Sequence, residues 1–137
     1  MGVFQYVQQI EYNVESRDEM VAYLERNFGM KPDRLEENVR GEWVEAQYRV
    51  GETLLRIREP LPGTDKRKFL DQHGPGIRVV AWGTTDNIAE VAKKLRANGN
   101  SLKAKRGFHQ SSQGVEQIDI DPKDSLGILF QIIERPR

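Results

Sequence analysis

The stretch GPGIRVVAWGTTDNIAEVAKKL, residues 74–95, decides the fold. It reads as a strand leaving a Gly-Pro-Gly turn and feeding a helix. Alternate strand side chains point to opposite faces, so Val80 and Trp82 share the helix-facing side while Val79, Ala81 and Gly83 look the other way. The same pattern stands earlier in the chain. YVQQIEYNVES (6–16) runs into RDEMVAYLERNFGM, as GIRVVAWGTTDN (76–87) runs into IAEVAKKLRANGN. At a shift of about 70 residues Ile10 falls on Val80 and Val14 on Thr84, and both helices end near a glycine, Gly29 and Gly99. WVEAQYRV (43–50) has its counterpart in EQIDID (116–121), and TLLRIRE (53–59) in GILFQIIE (127–134).

Each half therefore predicts strand, helix, short strand, strand, strand. The expected spans are 4–14, 17–28, 30–35, 42–50 and 52–58, then 76–84, 87–98, 103–107, 114–121 and 126–134. Ser16 with Glu19, and Asn87 with Glu90, supply the N-cap and N3 pairing that opens a helix. Residues 60–75, PLPGTDKRKFLDQHGP, form a connector carrying a short helix over 66–73. The expected organisation is one α+β domain over 1–137, with a first βαβββ unit at 4–59, the connector at 60–75 and a second unit at 76–134.

Composition narrows the function classes. The chain has 137 residues, 21 basic and 21 acidic side chains, two histidines and no cysteine. Zero net charge gives no field that favours nucleic acid or an anionic membrane, and there is neither a basic aromatic sheet face nor a recognition-helix pattern. Thiolate metal sites and cysteine nucleophiles are excluded, and the chain suits a reducing cytoplasm. No apolar run approaches the roughly 20 residues of a membrane span. Gly-rich phosphate loops and a serine-nucleophile motif are absent. The basic stretch with Lys93, Lys94, Arg96, Lys103, Lys105 and Arg106 reads either as a solvated face or as a rim that meets an anionic ligand.

Parity along the strands places Ile10, Tyr12 and Val14 opposite Gln9, Glu11 and Asn13. Likewise Val44, Ala46 and Tyr48 oppose Glu45, Gln47 and Arg49; Leu55 and Ile57 oppose Arg56 and Arg58; Ile118 and Ile120 oppose Gln117 and Asp119; and Ile132 opposes Gln131. One face packs on helices and the other is strongly polar. Buried without partners, each such charge costs several kcal/mol. The polar face must therefore meet water, pair internally or line a wet pocket.

On these residues, with FLDQHGPGIRVVAWGTTDNIAEVAKKLRANG (69–99) and DPKDSLGILFQIIE (121–134) as landmarks, the chain resembles the vicinal oxygen chelate superfamily, the glyoxalase/bleomycin-resistance fold. Its methylmalonyl-CoA epimerase branch is the nearest. The resemblance covers about residues 5–134 and implies duplicated βαβββ units forming a curved mixed sheet around a central pocket. It also implies a divalent metal with ligands at the positions of Gln9, Arg56, Val79 and Gln131. Valine has no lone pair and arginine is cationic, so the resemblance comes with the metal site dismantled and no cofactor. The epimerases' proton-transferring glutamate falls on Glu45 of RGEWVEAQY.

Two readings follow. In the first the protein is a metal-independent isomerase, epimerase or lyase working by proton transfer next to the carbonyl of a small acid or acyl thioester. Glu45 and Arg56 are then catalytic, and Gln9, Glu11, Asn13, Gln47, Val79, Gln117, Asp119 and Gln131 line the ligand site. In the second it is a noncatalytic ligand-binding protein of the sequestration or resistance type. The expected partner is a small, anionic molecule, with no nucleic acid and no membrane, and the expected assembly is a homodimer. Trp43 and Phe108 are the aromatics that parity lets reach a ligand.

Overall fold

The structure, a computed structural model, describes residues 2–111 and 114–135. Its order is β1 (Tyr6–Asn13), α1 (Arg17–Phe28), β2 (Arg34–Val39), β3 (Trp43–Val50), β4 (Thr53–Pro60), α2 (Asp65–His73), β5 (Gly76–Thr84), α3 (Ile88–Ala97), β6 (His109–Gln110), β7 (Glu116–Asp119) and β8 (Gln131–Glu134). The chain is α+β and divides into two compact units, Gln9–Arg78 and Met1–Gln8 with Val79–Arg137. Among the described residues no helix is long and apolar enough to cross a membrane.

In the Gln9–Arg78 unit the strands run in the order β2-β3-β4-β1. The β2–β3 and β3–β4 pairs are antiparallel, and β1 lies parallel to β4. Arg40 and Gly41 carry the β2–β3 connection at φ 56° and 70°. Two successive left-handed residues are what a tight hairpin needs to match the twist of its strands. Ser16 opens α1 by accepting from the Glu19 N–H at 3.2 Å, and Gly29 caps its end. Met20, Val21 and Leu24 of α1 then pack on Val14, Ala46, Tyr48 and Ile57. The short strand expected at 30–35 lies later, at 34–39, because Met30 is still tied to the Leu24 carbonyl in the helix cap.

In the other unit the order is β5-β8-β7-β6, with β8 parallel to β5 and the remaining pairs antiparallel. Asn87 caps α3 through the Glu90 N–H. Ile88, Val91 and Ala92 of α3 cover Ile118, Ile120 and Ile132, and Phe108 joins that cluster instead of facing a ligand. Two expected spans need correction. The chain over 103–107 is not a strand, since Ala104 sits at φ 74° and turns it away; the strand is β6. The last strand begins at Gln131 and not at 126, because Leu126 at φ 61° opens a turn.

The face occupied by Val79, Ala81 and Gly83 is sealed. Val79 and Ala81 are buried, and a methyl group added at Gly83 would clash with the Tyr6 ring. Gly83→Ala must push that ring aside, so a loss of about 1–3 kcal/mol is expected, read as a lowered urea midpoint at unchanged slope.

Candidate functional site

The polar face of the Gln9–Arg78 unit is buried and self-paired. Register explains the pairing. Glu45 lies directly opposite Arg58, Gln47 opposite Arg56, and Glu11 opposite Arg56. Glu45, fully buried, uses both oxygens twice. Its Oε1 accepts from Arg56 Nε at 2.9 Å and Arg58 Nε at 2.6 Å, and its Oε2 from Arg56 Nη2 at 2.9 Å and Gln47 Nε2 at 2.6 Å. Burial pushes the Glu45 carboxyl up, but hydrogen bonding to Arg56 and the charges of Arg56 and Arg58 outweigh it and hold the group below the usual carboxylate range. Glu45 is an ionised anchor with every lone-pair direction taken.

Arg58 extends the network outward. Its Nη1 lies 2.9 Å from Glu11 Oε1, which also accepts from Gln9 Nε2 at 3.1 Å. Its guanidinium carbon sits 4.1 Å from the centre of the Trp43 ring, a cation–π stack that fixes the plane of the fork. Two polar atoms are then left without a protein partner among the described residues, Arg58 Nη2 and Glu11 Oε2. Both residues line a cavity of about 300 Å³, with Asn13, Trp43, Pro60, Asp65, Lys66, Phe69 and Arg78. Three cations face two acids across an aromatic lining.

The sequence-predicted residues therefore separate. Glu11 and Asn13 reach the cavity. Gln9, Gln47, Glu45 and Arg56 lie in the ion-pair network beside it and are absent from its lining. In the other unit Gln117 and Asp119 share one face. Gln117 Nε2 donates to Asp119 Oδ1 at 2.7 Å, and His109 Nε2 lies 3.0 Å from Asp119 Oδ2, so His109 is held on a strand and is no loose loop residue. The buried Gln131 Oε1 meets no donor among the described residues. Of the basic stretch, Arg96 is spent on the Ala104 carbonyl and Arg106 on Phe108 and Glu116.

Sequence reasoning passed over Arg58, Lys66, Phe69 and Arg78. Arg58 carries the same strand parity as Arg56. Asp65, Lys66 and Phe69 stand at helical spacing on the connector, one stripe of α2. Those two signals locate the cavity.

The positions at which the resemblance would place metal ligands can be tested on the same geometry. Gln9 Oε1 already accepts from Arg56 Nη1 at 3.3 Å, so a guanidinium stands where the Gln9–Arg78 unit would offer a second donor. The other unit offers a buried valine and one neutral amide oxygen. Neutral amide oxygens hold divalent ions weakly unless carboxylates accompany them, and a guanidinium repels them, so in neither unit do the residues at these positions fit one.

The sequence pattern of the Glyoxalase/Bleomycin resistance protein/Dioxygenase superfamily matches residues 8–116. No curated protein matches the chain. Among solved structures the chain is similar to methylmalonyl-CoA epimerase from Mycobacterium tuberculosis, at 23% identity and a TM-score of 0.82, over 98% of this chain and 91% of that one. A variant of the Streptomyces coelicolor methylmalonyl-CoA epimerase in complex with 2-nitronate-propionyl-CoA is similar at 20% identity and a TM-score of 0.81, over 98% and 99%. A hypothetical protein from Bacillus halodurans C-125 is similar at 20% identity and a TM-score of 0.81, over 96% and 95%. At these identities the likeness establishes a glyoxalase-like fold.

Proposed function

Since the chain belongs to the glyoxalase/bleomycin resistance/dioxygenase superfamily, we propose that it binds a small organic acid or its acyl thioester in the Arg58–Trp43 cavity and moves a proton next to the carbonyl, as a metal-independent isomerase, epimerase or lyase. One observation carries the proposal. A carboxylate and a guanidinium, those of Glu11 and Arg58, border one cavity while Glu11 Oε1 and Arg58 Nη1 are tied together at 2.9 Å, which leaves Glu11 Oε2 and Arg58 Nη2 for a ligand. A base and an oxyanion donor held at fixed separation are what enolate chemistry requires.

The roles follow from the free atoms. Glu11 Oε2 takes the α-proton, the C–H bonding pair moves to the carbonyl oxygen as an enolate, and Arg58 Nη2 receives that charge. Delivery of a proton to the opposite face of the same carbon completes epimerisation, its return at another carbon isomerisation, and loss of a β-substituent elimination. Glu45 and Arg56 act as positioning residues. Glu45 grips Arg58 at Nε and aims its fork, and Arg56 supplies the second positive charge that keeps Glu45 ionised.

The second reading, ligand binding without chemistry, draws on the saturation of Glu45, because the carboxylate that the resemblance makes the base has no vacant site. The deciding experiment is α-proton exchange in D₂O, followed by NMR, with methylmalonyl-CoA and free methylmalonate as probes. The epimerase relatives make these the natural first compounds. Enzyme-dependent washout is the expected result. Saturable binding with no washout establishes the second reading.

A further inference from the structure

Arg78 differs from Arg56, Arg58 and Arg67, the arginines of the network and the connector. Arg56 and Arg58 are gripped by Glu45 and Glu11, and Arg67 by Glu15 and Asp71. Arg78 lines the cavity, yet no acidic side chain pairs with it among the described residues. What holds it is the Phe69 ring, with the guanidinium carbon 4.3 Å from the centroid. Phe69 is itself set by stacking on His73 at 4.0 Å between ring centroids. Stacking fixes the plane of a guanidinium while leaving its in-plane N–H groups available, the arrangement suited to a forked oxyanion. Lys66, also on the cavity, has only a long contact of 3.7 Å to Glu42 and lies 5.1 Å from the Trp43 ring.

The cavity thus holds two cationic positions with unspent donors, Arg58 Nη2 and the Arg78 fork, on different strands. We propose that the ligand is a small dianion, a short dicarboxylic acid or phosphorylated acid, whose second anionic group is received by Arg78 and Lys66. This rests on the assignment of the cavity as the ligand site. One anionic group answers Arg58, and a second finds the Arg78 fork, which is exposed to solvent at the cavity, oriented by Phe69 and engaged by no carboxylate among the described residues. A volume near 300 Å³ suits an acid of a few carbons and stands at the small end of ligand pockets. Arg78 is then the specificity-determining residue, and its role is in binding.

NMR titration of the full chain at constant ionic strength tests this, with malonate and succinate as dianions and propionate and butyrate as monoanions. The expected result is at least ten-fold tighter binding of the better dianion in the unsubstituted protein, a charge-assisted fork being roughly twice as strong as a neutral hydrogen bond. Arg78→Gln brings the two classes within two-fold, weakening the dianions far more than propionate, and Arg78→Lys restores part of the preference. Equal binding of both classes in the unsubstituted protein, or equal losses for both in Arg78→Gln, overturns the dianion assignment and leaves the cavity reading standing. Failure of every acid to perturb cavity residues overturns both.

Discussion

Glu45→Gln is expected to cost about 3–5 kcal/mol, the size seen when one partner of a buried ion pair is removed and the other charge stays behind. The amide has the shape of the carboxylate but neither its charge nor its two acceptor oxygens. Arg56 Nε and Nη2 and Arg58 Nε all point at Glu45, and the NH₂ that replaces one oxygen would face donors. Arg58 keeps Glu11, whereas Arg56 loses both of its charge-assisted contacts with the Glu45 carboxylate. Against a typical total of about 5–15 kcal/mol, this loss moves the urea midpoint far at nearly constant slope. The pH dependence has a definite sign. Because the folded state holds Glu45 below its ordinary value of 4.5, the network's contribution is complete above that value and is lost as pH falls through the lower, folded pKa. The unsubstituted protein should therefore lose stability more steeply in acid than Glu45→Gln does. A loss under 1 kcal/mol, with the decline in acid equally steep in the variant, would mean that the cluster is wet and Glu45 free to act otherwise.

That network shows what strand parity can and cannot reveal. A period of two suffices to put Gln9, Glu11, Asn13, Glu45, Gln47, Arg56 and Arg58 on one side, because the alternation follows from the backbone alone. Choosing partners requires register, which sequence does not carry. Glu45 opposite Arg58, and Gln47 opposite Arg56, are settled by where the Arg40–Gly41 hairpin and the turn before Thr53 begin. Without register the glutamate at 45 looks like a base; with it, the same residue is enclosed by two guanidinium groups. The connector and its short helix were legible between its prolines and its Gly-Pro. Its service as a cavity wall was not, since Phe69 and Arg78 meet only after the chain has turned at Gly74. In the second half the alternation was truthful for Ile118, Ile120 and Ile132, which α3 covers. It misled at 103–107 and 126–130, where left-handed residues with ordinary side chains, Ala104 and Leu126, interrupt stretches whose composition suits a strand.

Glu11→Gln is the substitution expected to separate chemistry from architecture. Glutamine at position 11 can still accept at one oxygen from Gln9 and Arg58, and Arg58 retains its 2.6 Å contact with Glu45, so the cavity keeps its wall. What disappears is the basic oxygen facing the ligand. General-base contributions run to about 10²–10⁴ in rate, so α-proton washout from the responsive acid or thioester should fall by at least 100-fold, corrected for the folded fraction. Affinity moves the other way or stays level, because an anion now enters a cavity relieved of one negative charge. This split, rate lost and binding kept, is what a structural role for Glu11 cannot produce; damage to the wall would weaken both together. Washout within three-fold of the unsubstituted protein would place the base elsewhere and return Glu11 to being an anchor for Arg58. Set beside Glu45→Gln, the pair of variants divides the polar face into a buried part that holds arginines in place and an open part that meets the ligand.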